Sequence, residues 1–130
     1  MTALLSSARA FADPTRVRIL AALRDGELCV CELCDALHVT QSTLSTHLQV
    51  IRAAALVTTR RVGKWNYYAI APEAGGLLDS VFGFFATTLA ADRKLAADAR
   101  RLKKRMALRE RGACCVGFVC GKPAKRRATK

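Results

Sequence analysis

No run of apolar residues in this chain approaches the ~20 that a membrane-spanning helix needs. The opening stretch, Met1-Thr-Ala-Leu-Leu-Ser-Ser-Ala8, lacks the basic region, long apolar core and cleavage site of a secretory signal. A cytoplasmic protein with no membrane partner is therefore expected. Histidine is scarce: the chain has 2, His38 and His47, so the helical stretches after Pro72 offer no His/carboxylate zinc site. Catalytic motifs are missing as well. Cys31-Glu-Leu-Cys34 has the spacing of a thioredoxin redox pair, but no βαβ pattern surrounds it. After Cys115, Gly121 stands where a phosphatase-like arsenate reductase would need Arg. The stretch from Gly117 to Lys122 is too short for a P-loop and follows no strand. Neither an enzyme nor an organic cofactor is expected.

Positive charge, by contrast, is plentiful and unevenly placed. The net charge is +12, yet residues 1–92 hold 8 Lys/Arg and 8 Asp/Glu and sum to zero. Residues 93–130 hold 14 Lys/Arg against only Asp98 and Glu110 and carry the whole excess. Such a bias suits a polyanion, of which nucleic acid is the common case, set against the plainer alternative of a solvated charged segment. The 6 cysteines fall into two tight triplets, Cys29/Cys31/Cys34 and Cys114/Cys115/Cys120. A reducing compartment argues against a disulfide framework. Clustered soft sulfur points instead to metal, metalloid or redox chemistry.

The apolar pattern is largely helical. Leu4, Ala8 and Phe11 mark a first helix; Asp13-Pro14 caps a second, with Val17, Leu20 and Leu23 inward and Gly26 past its end. Cys31 to Leu37 forms a short third helix, His38-Val39-Thr40 a tight turn. In the next helix Leu44, Leu48, Ile51 and Ala55 make a buried stripe, opposite Ser42, Ser45, Thr46, Gln49 and Arg52. Short polar side chains of this kind suit base edges and phosphates in a major groove, or simply a solvated face. The runs 57–62 and 65–70 are β-rich and joined by Gly63-Lys64, a hairpin signal, with Arg60, Arg61 and Lys64 near the tip. Trp65 and Ile70 are expected to close the core from the hairpin's other face. The fold class is mainly α with a small β-hairpin: a winged helix-turn-helix. Two later seams, Leu78/Phe82/Phe85/Leu89 and Leu95/Ala99/Leu102/Met106, exceed what a small core can bury. With the first helix they are read as a homodimer interface, with intramolecular packing as the alternative. The organisation expected is a DNA-binding and dimerisation domain at 1–92, a basic amphipathic helix making a dimer contact at 93–111, and a cysteine-containing basic tail at 112–130.

Three segments carry a resemblance to a known family. Phe11-Ala-Asp-Pro-Thr-Arg-Val-Arg-Ile-Leu20, Glu27-Leu-Cys-Val-Cys-Glu-Leu-Cys34 and Gln41-Ser-Thr-Leu-Ser-Thr-His-Leu48 together resemble the ArsR/SmtB family of winged-helix metal-sensing repressors, from about residue 5 to about residue 72. Cysteines one apart are shared by its arsenic and its cadmium/lead sensors; the third, Cys34, looks like the arsenic branch. The resemblance implies that Gln41, Ser45 and His47 face operator DNA, with Thr43 on the same helix, while Arg60, Arg61 and Lys64 touch it from the wing. His47 also suits helix packing. Thr46 stands where many relatives have a basic residue, and Ala54-Ala55 where they often have a helix-ending glycine. Ala55 then either adopts a left-handed conformation or the helix ends differently.

Cys31 and Cys34, three apart, share a helix face, and Cys29 lies just before it. On a straight helix Cys29 is the poorly aimed member, so binding should bend the helix start. Three thiolates without His or carboxylate favour thiophilic ions such as As(III) or Sb(III), which take three sulfurs in a pyramid. Cys114, Cys115 and Cys120 form a second candidate site. The alternatives left open are a Cd(II)/Pb(II)-responsive repressor, a thiol redox switch and a metal buffer.

Overall fold

A computed structural model of the protein describes residues 1–109; Cys114, Cys115, Cys120 and the terminal basic stretch lie outside the described residues. The chain begins with α1 (Thr2–Phe11) and α2 (Pro14–Leu23). Asp13 caps α2 as its sequence foretold, accepting the backbone N–H groups of Thr15 at 2.8 Å and Arg16 at 3.2 Å. Burial pushes the Asp13 carboxyl up, but these N–H groups and the nearby Arg16 charge outweigh it, and the pKa falls below the ordinary value.

The strand β1 (Leu28–Cys29) leads directly into α3 (Val30–Leu37), and α4 (Gln41–Ala53) follows after a three-residue turn. Strands β2 (Val57–Val62) and β3 (Trp65–Ile70) form the expected hairpin, whose turn places Gly63 at φ 58°. The sheet has three antiparallel strands in the order β1-β3-β2, with Leu28 opposite Tyr68 and Cys29 opposite Tyr67. Two residues of β1 are too few for a periodic signal, and the strand exists because β3 supplies its partner.

A 3₁₀ turn (Pro72–Ala74) precedes α5 (Gly75–Phe84), α6 (Ala86–Ala90) and α7 (Arg93–Met106). The seam read as one helix face from Leu78 to Leu89 is thus broken at Phe85. Gly83 and the β-branched pair Thr87-Thr88 weaken helix propensity on either side of the break. Leu78 and Phe82 fill the chain's own core, while Phe84 and Phe85 are exposed. Leu102 and Met106 of the second seam also rest against that core, and Ala99 faces outward.

The main core gathers Ile19, Leu20 and Leu23 of α2, Leu33 and Leu37 of α3, and Leu44, Leu48 and Ile51 of α4. Trp65 does not close it. Tyr67 and Trp65 pack instead with Cys29 and Cys31 in a smaller cluster, because β3 turns that face toward the start of α3.

Candidate DNA-reading surface and cysteine unit

Helix α4 is held by three buried side chains and presents the rest. Leu44, Leu48 and Ile51 are buried; Gln41, Ser42, Thr43, Ser45, Thr46, Gln49 and Arg52 are exposed. Thr40 caps the helix, accepting the Thr43 N–H at 3.2 Å, and the Thr46 hydroxyl donates back to the Ser42 carbonyl at 3.0 Å. His47 is half-buried: Nδ1 lies 3.2 Å from Nη1 of Arg16 and 3.7 Å from Oδ2 of Asp13. It ties α4 to the start of α2, the packing role that its sequence position also allowed.

Ala55 adopts φ 57°, the left-handed option. Its N–H donates to the Arg52 carbonyl at 2.9 Å and that of Leu56 to the Ile51 carbonyl at 3.4 Å, the two bonds of a Schellman ending normally built on glycine. His38 closes α3 in the same conformation at φ 54°, with the Val39 N–H reaching the Cys34 carbonyl at 3.3 Å.

On the wing, Arg60 is already engaged. It makes two bonds to Glu27, at 2.7 and 2.6 Å, and its guanidinium lies 5.0 Å from the Tyr67 ring centre. The Arg60 hydrogen bonds hold the Glu27 carboxyl below its ordinary pKa against a smaller opposing effect of burial. Arg61 donates to the Gly63 carbonyl at 3.0 Å, and the Lys64 ammonium sits 4.9 Å from the Trp65 ring centre. All three remain exposed at the hairpin.

The cysteines divide differently from the spacing argument. Sγ of Cys29 and Sγ of Cys31 lie 2.7 Å apart without a disulfide between them. Cys29 is the N-cap of α3, and its N–H donates to Glu32 at 3.0 Å. Cys34 is packed into the main core. The residue expected to be poorly aimed, Cys29, is therefore half of the pair, because pairing with β3 fixes its direction. Among the described residues no three His, Cys, Asp or Glu side chains are grouped to hold a metal ion. The pair supplies two soft donors, a partial fit to a thiophilic ion that takes three.

Sequence reasoning missed the surroundings of this pair. Glu32 and Asp35 are buried on α3 and are met by Arg109, at 2.6 and 2.5 Å, and by Arg105, at 2.7 Å. The Glu32 hydrogen bonds raise the Arg109 pKa against the cost of burial. Arg109 also donates to the Glu27 carbonyl at 2.8 Å, and Arg105 Nη2 lies 3.8 Å from Cys31 Sγ. Two signals were present: arginines every fourth residue at 101, 105 and 109, and two acids in an otherwise apolar helix.

Residues 13–59 match the model of the bacterial regulatory proteins of the arsR family. The chain is 40 % identical over 99 residues to the arsenic resistance transcriptional regulator ArsR2 of Pseudomonas putida, covering 73 % of this chain and 82 % of that one. With ArsR1 of the same organism it shares 43 % identity over 74 residues, 56 % of this chain and 58 % of the relative, so it spans little more than half of that relative's length. The solution structure of the homodimeric winged helix-turn-helix domain of Mb0332 from Mycobacterium bovis, described as a possible ArsR-family regulator, matches with TM-score 0.60 at 30 % identity, covering 66 % of this chain and 80 % of that one. A left-handed ending after a polar-faced α4, a basic hairpin and these matches converge: the chain belongs to the ArsR family of bacterial regulatory proteins and carries its winged helix-turn-helix.

Proposed function

We propose that the protein is a metalloid-responsive transcriptional repressor. It binds operator DNA as a homodimer through α4 and the β2–β3 wing, and leaves the DNA when cysteine thiolates capture As(III) or Sb(III). The observation that carries this reading is the Cys29–Cys31 pair, seated at the start of the helix that packs against α4. Relatives named arsenic resistance regulators support the choice of ion.

The DNA contacts belong to Gln41, Ser42, Thr43, Ser45, Thr46, Gln49 and Arg52 on α4, with His47 positioning the helix. Arg61 and Lys64 reach phosphates from the wing, joined by Arg60 where it parts from Glu27. The large apolar side chains left exposed on α1 (Leu4 and Leu5) and around α5 (Leu77, Phe84 and Phe85) suit a second copy of the chain, and the homodimeric Mb0332 domain supports this reading. No helix among the described residues is long and apolar enough to cross a membrane, consistent with a regulator acting in the cytoplasm.

When bound, As(III) would supply a thiophilic centre that takes three sulfurs. The chain supplies Cys29 and Cys31 as the first two donors. A third comes from Cys34 or from the triplet Cys114, Cys115 and Cys120. Recruiting Cys34 requires α3 to distort, because its side chain must leave the core, and that differential cost is what shifts the DNA equilibrium.

The test is release of an operator duplex from reduced, full-length protein by arsenite. Cys31→Ser should bind the operator and resist release. A double change of Cys114 and Cys115 to Ser should retain at least part of the response; if it abolishes release while Cys31→Ser does not, the C-terminal triplet is the sensor. The closeness of the Cys29 and Cys31 sulfurs favours one second reading, a thiol redox switch. Release by an oxidant alone, as complete as that by arsenite, would select it.

A further inference from the structure

Arg101, Arg105 and Arg109, spaced by four along α7 and its end, all reach α3. Arg101 donates to the Ala36 carbonyl at 2.7 Å, Arg105 to Asp35 at 2.7 Å and Arg109 to Glu32 at 2.6 Å. Asp98 joins Arg101 to Arg18 of α2, and Arg18 in turn donates to the Leu37 carbonyl. Helix α3 is thus strapped along its length by side chains 65 to 77 positions away in the sequence. The charge that looked like a footprint for a polyanion is, at these positions, spent inside the chain.

One rung differs from the others. Arg105 places Nε on Asp35 while Nη2 points at Cys31 Sγ, 3.8 Å away, in a side chain only 3 % exposed. A single guanidinium therefore spans the carboxylate that docks α7 and the sulfur that the thiolate-sensing reading assigns to the ion. Its planar fork allows this; a lysine ammonium, a point donor on a flexible stem, does not hold two such partners in fixed directions.

We propose that Arg105 is a positioning residue that couples the Cys29–Cys31 unit to the docking of α7 on α3. The inference rests on the proposed sensing by thiolates and adds the route by which occupancy is transmitted. Bonding to a soft ion would take up one lone pair of the Cys31 sulfur and draw electron density from the others, leaving a weaker acceptor for the Arg105 N–H. Capture of the ion weakens the contact, loosens the strap, and lets α3 shift against α4. The contact is buried, so bulk salt screens it little.

The experiment uses full-length protein reduced with a thiol-free phosphine and measures operator Kd with and without sodium arsenite. The ratio of the two Kd values is the coupling, and it is independent of any change in basal affinity. Arsenite binding is read separately from sulfur–arsenic ultraviolet absorption, and folding from thermal melts. For the wild type the ratio should be on the order of 10- to 100-fold. Arg105→Lys keeps the Asp35 pairing and the absorption band but should bring the ratio close to one. Arg101→Gln cuts a rung that touches no cysteine and should keep the wild-type ratio. A wild-type ratio in Arg105→Lys, or an equal collapse in Arg101→Gln, overturns the coupling role. A wild-type ratio of one overturns the sensing reading itself. A measurement free of variants stands beside these: arsenite should speed amide exchange across α7, and unchanged protection there would refute the strap.

Discussion

Helix α3 buries every residue from Cys31 to Leu37, Glu32 and Asp35 included, whereas its neighbour α4 buries Leu44, Leu48 and Ile51 and leaves most of its polar residues in solvent. Two helices of one motif thus obey different rules. On α4 a side chain can change without disturbing the fold, because little packs against it. On α3 every side chain from Cys31 to Leu37 is enclosed, and the two acids are tied to arginines from the far end of the domain. A signal that must move the reading helix is better delivered to the enclosed partner, where a small displacement has no slack to absorb it.

Breaking that contrast at its stiffest point should give the largest effect. Asp35→Ala leaves the buried Arg105 guanidinium without its carboxylate and should cost about 3–5 kcal/mol, seen as a lower urea midpoint. Ser42→Ala on exposed α4 should stay within about 0.5 kcal/mol in the same measurement. Equal losses would mean that the two helices do not differ as described.

A smaller effect of opposite sign is expected where α4 ends. Ala55 carries a Cβ in the left-handed region, a conformation that costs an L-residue roughly 1–2 kcal/mol. Ala55→Gly removes that strain but gains unfolded-state freedom, so a net stabilisation of up to about 1 kcal/mol should appear as a higher thermal midpoint.

The smallest effect concerns the wing. Glu27→Gln removes the charge that holds Arg60 and should release one more cation toward phosphate. The slope of log affinity against log salt should then steepen by about 0.9. An unchanged slope would mean that Arg60 already reaches the DNA. Acid should weaken the same pair. The Glu27 pKa is depressed, so its contribution to stability is fully present above the ordinary value of 4.5 and is lost as pH falls through the lower folded value. Being exposed and screened, the contribution is small, and an acid-unfolding curve of Glu27→Gln should lack only this shallow component.

What the sequence disclosed was mostly local. The Asp13-Pro14 start of α2, the Leu44/Leu48/Ile51 stripe and the hairpin around Gly63 each rest on neighbours within a few positions, and each is present. The pattern at Ala55 raised the right question, and the backbone answers it with a positive φ. What stayed hidden depends on distant partners. Strand β1 exists only through Tyr67 and Tyr68, and its pairing turns Cys29 toward Cys31. Helical spacing alone pointed to Cys31 with Cys34, and the closeness of Cys29 to Cys31 lay outside its reach. The arginines of α7 looked like free positive charge because their acids lie some 70 residues earlier.

His38 and Ala55, the two left-handed residues among those described without the licence of glycine, stand on either side of α4. They fix the corners by which the chain enters and leaves the helix, and three buried aliphatic side chains with half-buried His47 root the segment between them. Such a segment behaves as a replaceable cartridge. If α4 reads the operator as proposed, a lineage whose operators drift can rewrite Ser42, Ser45, Thr46 and Gln49 one at a time, keeping the same mount, while the half of the molecule that carries the cysteines is inherited untouched. Recognition and response are then free to evolve at different speeds within a single small domain.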